Sequence, residues 1–163
     1  MGLMQKIINM ALSHIRFYIN EGGEAIIHSR PRYLTHVAIR NKNAKLFIGK
    51  NTHICTGTRI GVTREIHIGN NVMISSFCFI NDAQHNYKYK GKDRRKKVFV
   101  GKKCIIEDGA WLGFGSVVIS STIGENSIVG ANSTVINMDI PKDHIFVGDS
   151  RLNYNLRKIR YKK

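Results

Sequence analysis

The feature that most constrains the fold of this chain is a six-residue repeat that returns through most of its length. An aliphatic residue opens each unit, and a small residue usually stands in the fifth place. A six-residue period predicts a parallel β-helix, in which three units close one triangular coil of about 18 residues and the coils stack on one another. The opening residues are Ile48, Ile54, Ile60, Ile68, Ile74 and Ile80, followed by Val100, Ile106, Leu112, Val118, Ile123, Val129 and Val135.

The small residues in the fifth places predict tight interior corners. They are Thr52, Thr58, Val72, Cys78, Cys104, Ala110, Ser116, Thr122, Ser127 and Ser133. Two of the three cysteines stand among them and no C-x-x-C pair occurs, so we interpret these cysteines as buried packing thiols. Free thiols fit a reducing, cytoplasmic compartment.

Both ends of the chain depart from the repeat. Apolar residues at three- and four-residue steps over residues 3–18 predict an amphipathic helix, which either packs on the protein or lies on a membrane surface. Near the other end, Leu152, Leu156 and Ile159 predict a short capping helix with a basic face. We expect one domain over residues 1–163, with the N-terminal helix in 1–23, the β-helix in 44–147, a loop excursion in 86–97 and the basic cap in 148–163.

The chain is strongly basic, with 26 Lys and Arg against 11 Asp and Glu and a net charge of +15. This charge predicts an anionic partner, such as nucleic acid, a membrane surface, a phosphate-bearing cofactor or an acidic glycan. Residues 86–97 interrupt the repeat and are rich in Lys and Arg. An insertion of this kind is either one wall of a binding site or a solvated loop.

With its repeats, its internal break, the Gly-Ala-Trp-Leu-Gly segment at 109–113 and a basic tail in this order, the chain resembles the hexapeptide-repeat acyltransferases over about residues 44–150. It is most similar to the galactoside and maltose acetyltransferases and to small O-acetyltransferases of surface-polysaccharide pathways. The resemblance implies a left-handed parallel β-helix and a homotrimer. It also implies acetyl-CoA as the acyl donor, held in the groove between neighbouring subunits, and no metal.

The resemblance implies roles for individual residues as well. His85 closes the coil before the basic segment, where the family has its catalytic histidine. Trp111 matches the tryptophan beside the thioester, and the backbone N–H of Phe114 matches the oxyanion donor. The other positions expected at the cofactor are Gly113, Gly130, Ala131, Arg151 and Arg157.

Acyl transfer from a thioester to a hydroxyl needs a base for the hydroxyl proton and donors for the oxyanion. Histidine side chains titrate near neutrality and suit the first task, and backbone N–H groups at a rigid corner suit the second. Asn81 and Asp82 precede His85 in the same coil, and either they orient the imidazole or the acceptor, or they only cap a turn. The sequence therefore predicts acetyl transfer to a hydroxyl of a sugar or polysaccharide precursor, with His85 as the general base.

Three departures from the family concern the acceptor and the cofactor. Gly-Asp-Ser-Arg at 148–151 replaces the usual closing segment, Asn86 and Tyr87 follow the histidine, and Gly57 and Thr58 stand near the place of the sugar-holding asparagine of the galactoside enzymes. We therefore expect a different acceptor. The excess positive charge favours an anionic one, or one built at the inner face of the membrane.

Two other functions stay open at the level of sequence. The same base and groove would serve N-acetylation of an amino sugar, and a non-catalytic β-helix could act as a scaffold or an anion-binding trimer. A metal-dependent β-helix enzyme of the γ-carbonic anhydrase kind needs two histidines in H-x4-H spacing, and the sequence contains no such pair. Nucleic acid is disfavoured because no recognition motif occurs.

Overall fold

The structure is a computed structural model, which describes residues 16–19, 23–29, 34–86, 88–96 and 98–161. Short strands separated by tight turns account for most of these residues, as expected for a chain whose aliphatic and small residues recur at a fixed period. The strands are β1 Arg16–Ile19, β2 Glu24–Ile27, β3 His36–Ile39, β4 Lys45–Ile48, β5 His53–Ile54, β6 Arg59–Val62, β7 Glu65–Ile68, β8 Met73–Ile74, β9 Phe79–Asn81, β10 Ala83–His85, β11 Val98–Val100, β12 Cys104–Ile106, β13 Trp111–Leu112, β14 Val117–Ile119, β15 Thr122–Ile123, β16 Ile128–Val129, β17 Thr134–Ile136, β18 Asp139–Ile140, β19 His144–Gly148 and β20 Tyr154–Lys158, and the helix α1 is Gly91–Lys96.

The strands return to the same three sheets once per coil. Sheet 1 has the order β1-β3-β6-β9-β14-β17, sheet 2 has β2-β4-β7-β12-β15-β18, and sheet 3 has β5-β8-β13-β16-β19-β20. Along sheet 2 the opening aliphatics lie in register, with Ile48 beside Ile68, Ile68 beside Ile106 and Ile106 beside Ile123. Because strands that neighbour each other in a sheet come from successive coils, the chain forms a parallel β-helix.

The opening aliphatics form the core, and the small residues hold the corners. Ile54, Ile74 and Leu112 are fully buried, and each buried aliphatic side chain contributes about 1.5–3 kcal/mol. The small residues at the corners are buried too, and their hydroxyls donate to the next coil, as from Thr52 Oγ1 to Gly69 O at 2.7 Å. The small corner residues therefore link the coils as well as fill the corners.

One predicted corner residue is replaced by its neighbour. The sequence placed Thr122 in an interior corner, but Thr122 is half-buried and Ser121 is fully buried there instead. Ser121 Oγ donates to Ile119 O at 2.8 Å and accepts from Met138 N at 3.2 Å. The cause is the unit before Ile123, which is one residue short, so the inward position moves back by one.

The predicted C-terminal helix is wrong. Residues Tyr154–Lys158 form β20, which pairs antiparallel with β19, and Leu156 packs against the core while Leu152 is exposed. The reason is the edge of the last coil, which would leave the N–H and C=O groups of β19 without partners. A strand satisfies those groups and a helix does not.

The N-terminal region also differs from the prediction. The proposed amphipathic helix over residues 3–18 lies mostly outside the described residues, and its last part, Arg16–Tyr18, belongs to β1. Strands β1, β2 and β3 already lie in sheets 1 and 2, beside β3, β4 and β6. The coils therefore begin before residue 44, where the six-residue pattern becomes regular.

The segment after His85 leaves the sheets as a hairpin. Strands β10 and β11 pair antiparallel, and α1 lies in the connection between them. The chain re-enters sheet 2 at β12. In the described parts of the chain no helix is long and apolar enough to cross a membrane.

Candidate active site

His85 stands where the regular coil ends and the hairpin begins. It is the last residue of β10, opposite Val98 of β11, and its side chain is exposed. The hairpin follows directly after β9 of sheet 1, so His85 lies just beyond the C-terminal ends of the sheet 1 strands. It lines a pocket of about 470 Å³, together with Arg40, Thr63, Phe79, Asn81, Ala83 and Gln84.

Asp82 and Asn81 shape the bend that leads to His85. The fully buried Asp82 carboxylate accepts from the backbone N–H groups of Thr63, Arg64 and Glu65 at 2.7–2.8 Å. Asn81 Nδ2 donates to Ala83 O at 2.7 Å, and Asn81 Oδ1 accepts from Asp82 N at 3.1 Å. Of the two alternatives for these residues, the turn-capping role accounts for all these contacts.

Trp111 and Phe114 lie together on another part of the molecule. Trp111 opens β13 in sheet 3, and its ring is 40% exposed, with Nε1 donating to Ser75 Oγ at 3.2 Å. Phe114 stands in the turn between β13 and β14, and its side chain is 51% exposed. We call this edge of the helix, formed by residues 55–58, 75–78, 113–116 and 130–133, the sheet 3–sheet 1 corner.

The glycines expected at the cofactor stack at the same corner. A Cβ built on Gly113 would lie 2.6 Å from Ala131 N and 2.8 Å from Gly130 C. Only hydrogen fits between these two coils, so the backbone runs close and flat along the corner. The structure thus brings Trp111, Gly113, Phe114, Gly130 and Ala131 together on one ridge of the β-helix.

Backbone N–H groups at this corner differ in their hydrogen-bond partners from those at the corner between sheets 2 and 3. There, a side chain of a neighbouring coil caps the second turn residue: Asn70 Oδ1 accepts from Lys50 N at 2.9 Å, and Asp108 Oδ1 accepts from Asn70 N at 2.8 Å. Among the described residues, none offers an acceptor to the N–H of Phe114. That N–H is therefore open to a ligand, as an oxyanion donor must be.

Some known proteins are similar to this chain in sequence or in structure. No family model matches the chain. A galactoside O-acetyltransferase from Lactococcus lactis subsp. lactis (strain IL1403) is 34% identical over 114 residues, which cover 63% of this chain and 51% of that protein. A relative from Schizosaccharomyces pombe is 37% identical over 84 residues, which cover 51% of this chain and 39% of that protein. The chain thus spans about half the length of the first of these curated relatives and less of the second.

A solved structure agrees with these relatives. The hexapeptide-repeat-containing acetyltransferase from Vibrio cholerae is 26% identical with a TM-score of 0.64, over 86% of this chain and 73% of that one. The chain is thus similar in sequence to a galactoside O-acetyltransferase and in fold to a hexapeptide-repeat acetyltransferase. The predicted fold, a left-handed parallel β-helix, is confirmed.

The Vibrio cholerae acetyltransferase has also been solved with acetyl coenzyme A. An N-acyltransferase from Bacillus cereus, solved with coenzyme A and dTDP-4-amino-4,6-dideoxyglucose, shares the fold at 20% identity and a TM-score of 0.70, over 98% of this chain and 90% of that one.

The sequence did not predict the exposed Phe77 at this corner. Phe77 has a φ of 61°, in the left-handed region that bulky residues avoid, and its side chain is 60% exposed. Its ring covers Gly57 and lies edge-on to Phe114, with the ring centroids 5.7 Å apart. A signal was available in the sequence, because most of the equivalent turn positions in other coils carry Asn or Gly: Asn51, Gly57, Asn71, Gly109, Gly115, Asn126 and Asn132. Leu34, with a φ of 62°, is a second bulky residue at such a position.

The two arginines expected at the CoA phosphates have different surroundings. Arg151 forms a bidentate ion pair with Asp149, with Nε and Nη2 at 3.0 and 2.6 Å from the two carboxylate oxygens. Hydrogen bonding from Arg151 lowers the pKa of the Asp149 carboxyl to about 2. Arg157 lies on β20 opposite Ile145, is exposed, and has no carboxylate within ion-pairing distance among the described residues.

Within one chain, His85 and Phe114 are on opposite edges of sheet 1. Strands β9 and β14 are neighbours, with Phe79 beside Val117. Phe114 precedes β14, whereas His85 follows β9, so a strand's length separates the two edges. The pocket beside His85 contains neither Trp111 nor Phe114. One subunit therefore does not bring the two halves of the predicted site together.

The buried cysteines suit structural roles. Cys78 and Cys104 are buried, as predicted, and burial raises the pKa of the Cys104 thiol to about 12. Such thiols are inert at neutral pH. In the described parts of the chain, no three His, Cys, Asp or Glu side chains converge as metal ligands do.

Proposed function

We propose that this protein is an acetyltransferase that moves the acetyl group of acetyl-CoA to a hydroxyl of a sugar or of a surface-polysaccharide precursor. The observation that carries the proposal is the open N–H of Phe114 beside the exposed Trp111, on a corner where glycines keep the backbone flat. The galactoside O-acetyltransferase among its relatives and the acetyl-CoA complex of the Vibrio cholerae protein support both the reaction and the donor.

His85 acts as the general base in this proposal. It takes the proton of the acceptor hydroxyl while the oxygen attacks the thioester carbonyl carbon. The N–H of Phe114 donates to the oxyanion that forms, and one such donor typically contributes about 2.7–4 kcal/mol. The C–S bond then breaks, and the proton passes from the imidazole to the departing CoA thiolate.

The donor lies along the sheet 3–sheet 1 corner. Trp111 contacts the thioester end, and the flat backbone at Gly113, Gly130 and Ala131 accommodates the pantetheine arm. Arg157 is the stronger candidate for the CoA phosphates, because Arg151 already engages Asp149 with both prongs of its guanidinium group. Asn81 holds the bend beside His85 and lines the acceptor pocket.

The active site is completed by a second subunit in a homotrimer. His85 and Phe114 lie on opposite edges of sheet 1, so a neighbour must bring its Trp111 and Phe114 to the His85 edge. Exposed apolar side chains near the sheet 3–sheet 1 corner support an interface there: Met73, Phe77, Trp111 and Phe114 are each at least 40% exposed.

The proposal is tested by acceptor-dependent CoA release. Purified protein with acetyl-CoA is assayed against a panel of sugars, amino sugars, nucleotide sugars and glycan fragments, and mass spectrometry locates the acetyl group. We expect transfer to a hydroxyl, and a change in tryptophan fluorescence on adding acetyl-CoA, since Trp111 is the single tryptophan. An intact protein that does not bind acetyl-CoA would instead be a scaffold, and transfer to nitrogen alone would make it an N-acetyltransferase.

A further inference from the structure

The pocket beside His85 contains a cation whose role the acyl-transfer chemistry does not explain. Arg40 follows β3 directly, and its backbone is fixed by a hydrogen bond from Arg40 N to Val62 O at 2.8 Å. Its side chain is exposed and lines the same pocket as His85. Any acceptor whose hydroxyl reaches the imidazole therefore lies close to a guanidinium group.

A glycine makes room for this guanidinium group. Gly61 lies on β6 beside Asn81 of β9. A Cβ built on Gly61 would lie 3.3 Å from Arg40 Nη2 and 2.9 Å from Asn81 Oδ1. A larger residue at position 61 would push the guanidinium group away from the sheet and from the pocket.

Arg40 has no acidic partner among the residues that the structure describes. Among the described residues, no carboxylate oxygen lies within ion-pairing distance of its side chain. Asp82, next to the pocket residue Asn81, is fully buried, and its carboxylate already accepts three backbone N–H groups. The pocket therefore carries a positive charge that the protein itself does not compensate.

Two further groups of this pocket, the Thr63 hydroxyl and the Phe79 ring, suit a sugar acid as the acceptor. Thr63 lines the pocket, and its buried Oγ1 has no hydrogen-bond partner among the described residues. An unpaired buried hydroxyl is costly unless a ligand or water satisfies it. The ring of Phe79 supplies an apolar face on the same wall, and sugar rings present C–H groups to such faces.

We propose that this pocket selects an acceptor bearing a carboxylate or a phosphate, which Arg40 holds in a forked ion pair while the acceptor hydroxyl faces His85. Guanidinium groups match the geometry of both anions. The inference rests on the proposed acetyl transfer and adds the class of acceptor and the residue that recognises it. Gly61 keeps Arg40 in position, and Thr63 hydrogen-bonds the acceptor.

The test compares matched charged and neutral probes. Methyl β-glucuronide is paired with methyl β-glucoside, and glucose 6-phosphate with glucose, so that the two arms separate carboxylate from phosphate. Each probe is measured as a ligand by saturation-transfer NMR and calorimetry, and as an acceptor by CoA release. We expect at least one charged probe to exceed its neutral partner about 10- to 100-fold in affinity or kcat/KM.

Three variants test whether Arg40 causes the preference for the charged probe. Arg40→Gln removes the preference for the charged probe without changing the KM for acetyl-CoA, and Arg40→Lys restores part of it. Arg64→Gln removes the same charge from an exposed neighbour outside the pocket and keeps the preference. The proposal is overturned if neither charged probe is favoured, or if Arg40→Gln keeps the preference.

The outcomes also separate this inference from the proposed function. Acetyl transfer without any preference for a charged acceptor would support the proposed function and contradict the inference about Arg40. Charge-selective binding that depends on Arg40, without CoA release from any acceptor, would support the proposed anion pocket and contradict the proposed transferase activity.

Discussion

Asp82 fixes the backbone beside His85, the proposed general base, without a proposed role in the chemistry. Its buried carboxylate gathers three successive backbone N–H groups, from Thr63 to Glu65, and so ties one coil to the bend before His85. Hydrogen bonds to a charged acceptor contribute more than neutral ones, and leaving buried donors unpaired is costly. The position of His85 therefore depends on a residue that does not contact the substrate.

Replacing Asp82 should lower the free energy of unfolding. We expect Asp82→Asn to cost about 2–4 kcal/mol, because the amide NH2 group would face backbone donors that the carboxylate now satisfies. Urea denaturation measures the difference. Asp93→Asn, an exposed change in α1, serves as the control and should stay within about 0.5 kcal/mol of wild type. A loss no larger than this in Asp82→Asn would show that the three bonds are not stabilising.

Residues at the site differ in how far their roles could be predicted. The sequence predicts roles for His85 and Trp111 because each stands at a fixed place in the repeat, and these roles stay predictions. Arg40 was not, because its approach to His85 depends on the absence of a side chain at Gly61, one coil away in space. The role of Asp82 stayed open for a similar reason, since its partners are 17 to 19 residues away in sequence.

At the scale of the strands, the stacking of coils depends on places where no side chain fits. A Cβ on Gly49 would lie 2.5 Å from the backbone oxygen of Gly69 in the next coil. Backbone cannot give way as a flexible side chain can. The repeated glycine after the opening aliphatic thus sets how closely two coils approach.

Gly49→Ala should therefore be strongly destabilising. We expect a loss of about 3 kcal/mol, because neighbouring coils must separate locally to admit the methyl group. Gly91→Ala is the matched control: Gly91 has a φ of 51° and no atom within 4 Å of a built Cβ, so only backbone strain of about 1 kcal/mol is expected. Equal losses in the two variants, measured by thermal or urea unfolding, would contradict the packing explanation.

The elements were predicted best where the period is strict. The aliphatic columns of sheets 1 to 3 follow from the six-residue repeat, and the buried small residues follow with them. The C-terminal strand was mistaken for a helix because Leu152, Leu156 and Ile159 fit a helical spacing, whereas the open edge of β19 favours a strand. That edge exists only after the last coil has formed, so local spacing does not reveal it.

For the whole molecule, the main consequence of the fold is that one chain does not bring the proposed site residues together, so we propose that the site is divided between subunits. His85 is on one edge of sheet 1, and Trp111 and Phe114 are towards the other. In a closed ring each groove would take its histidine from one subunit and its corner from the next. Light scattering should then give about three times the chain mass of 18.5 kDa.

Mixing two inactive variants tests this division. His85→Ala and Trp111→Ala each impair every groove of their own trimer, but mixed trimers regain intact grooves. After unfolding and refolding together in equal amounts, about a quarter of the grooves should combine an intact histidine with an intact tryptophan. Recovery of CoA release towards that fraction supports the shared site. No recovery, with mixed trimers verified by native mass spectrometry, would contradict it.

The most direct test of the central claim is the rate of acetyl transfer by His85→Ala, measured with the best acceptor from the panel. Without the base, we expect kcat to fall about 100- to 10,000-fold, with the KM for acetyl-CoA and the unfolding transition unchanged. His67→Gln is the control, since His67 is exposed on sheet 2, stacks on Phe47 at 4.5 Å between ring centroids, and should keep full activity. Full activity in His85→Ala would contradict the account.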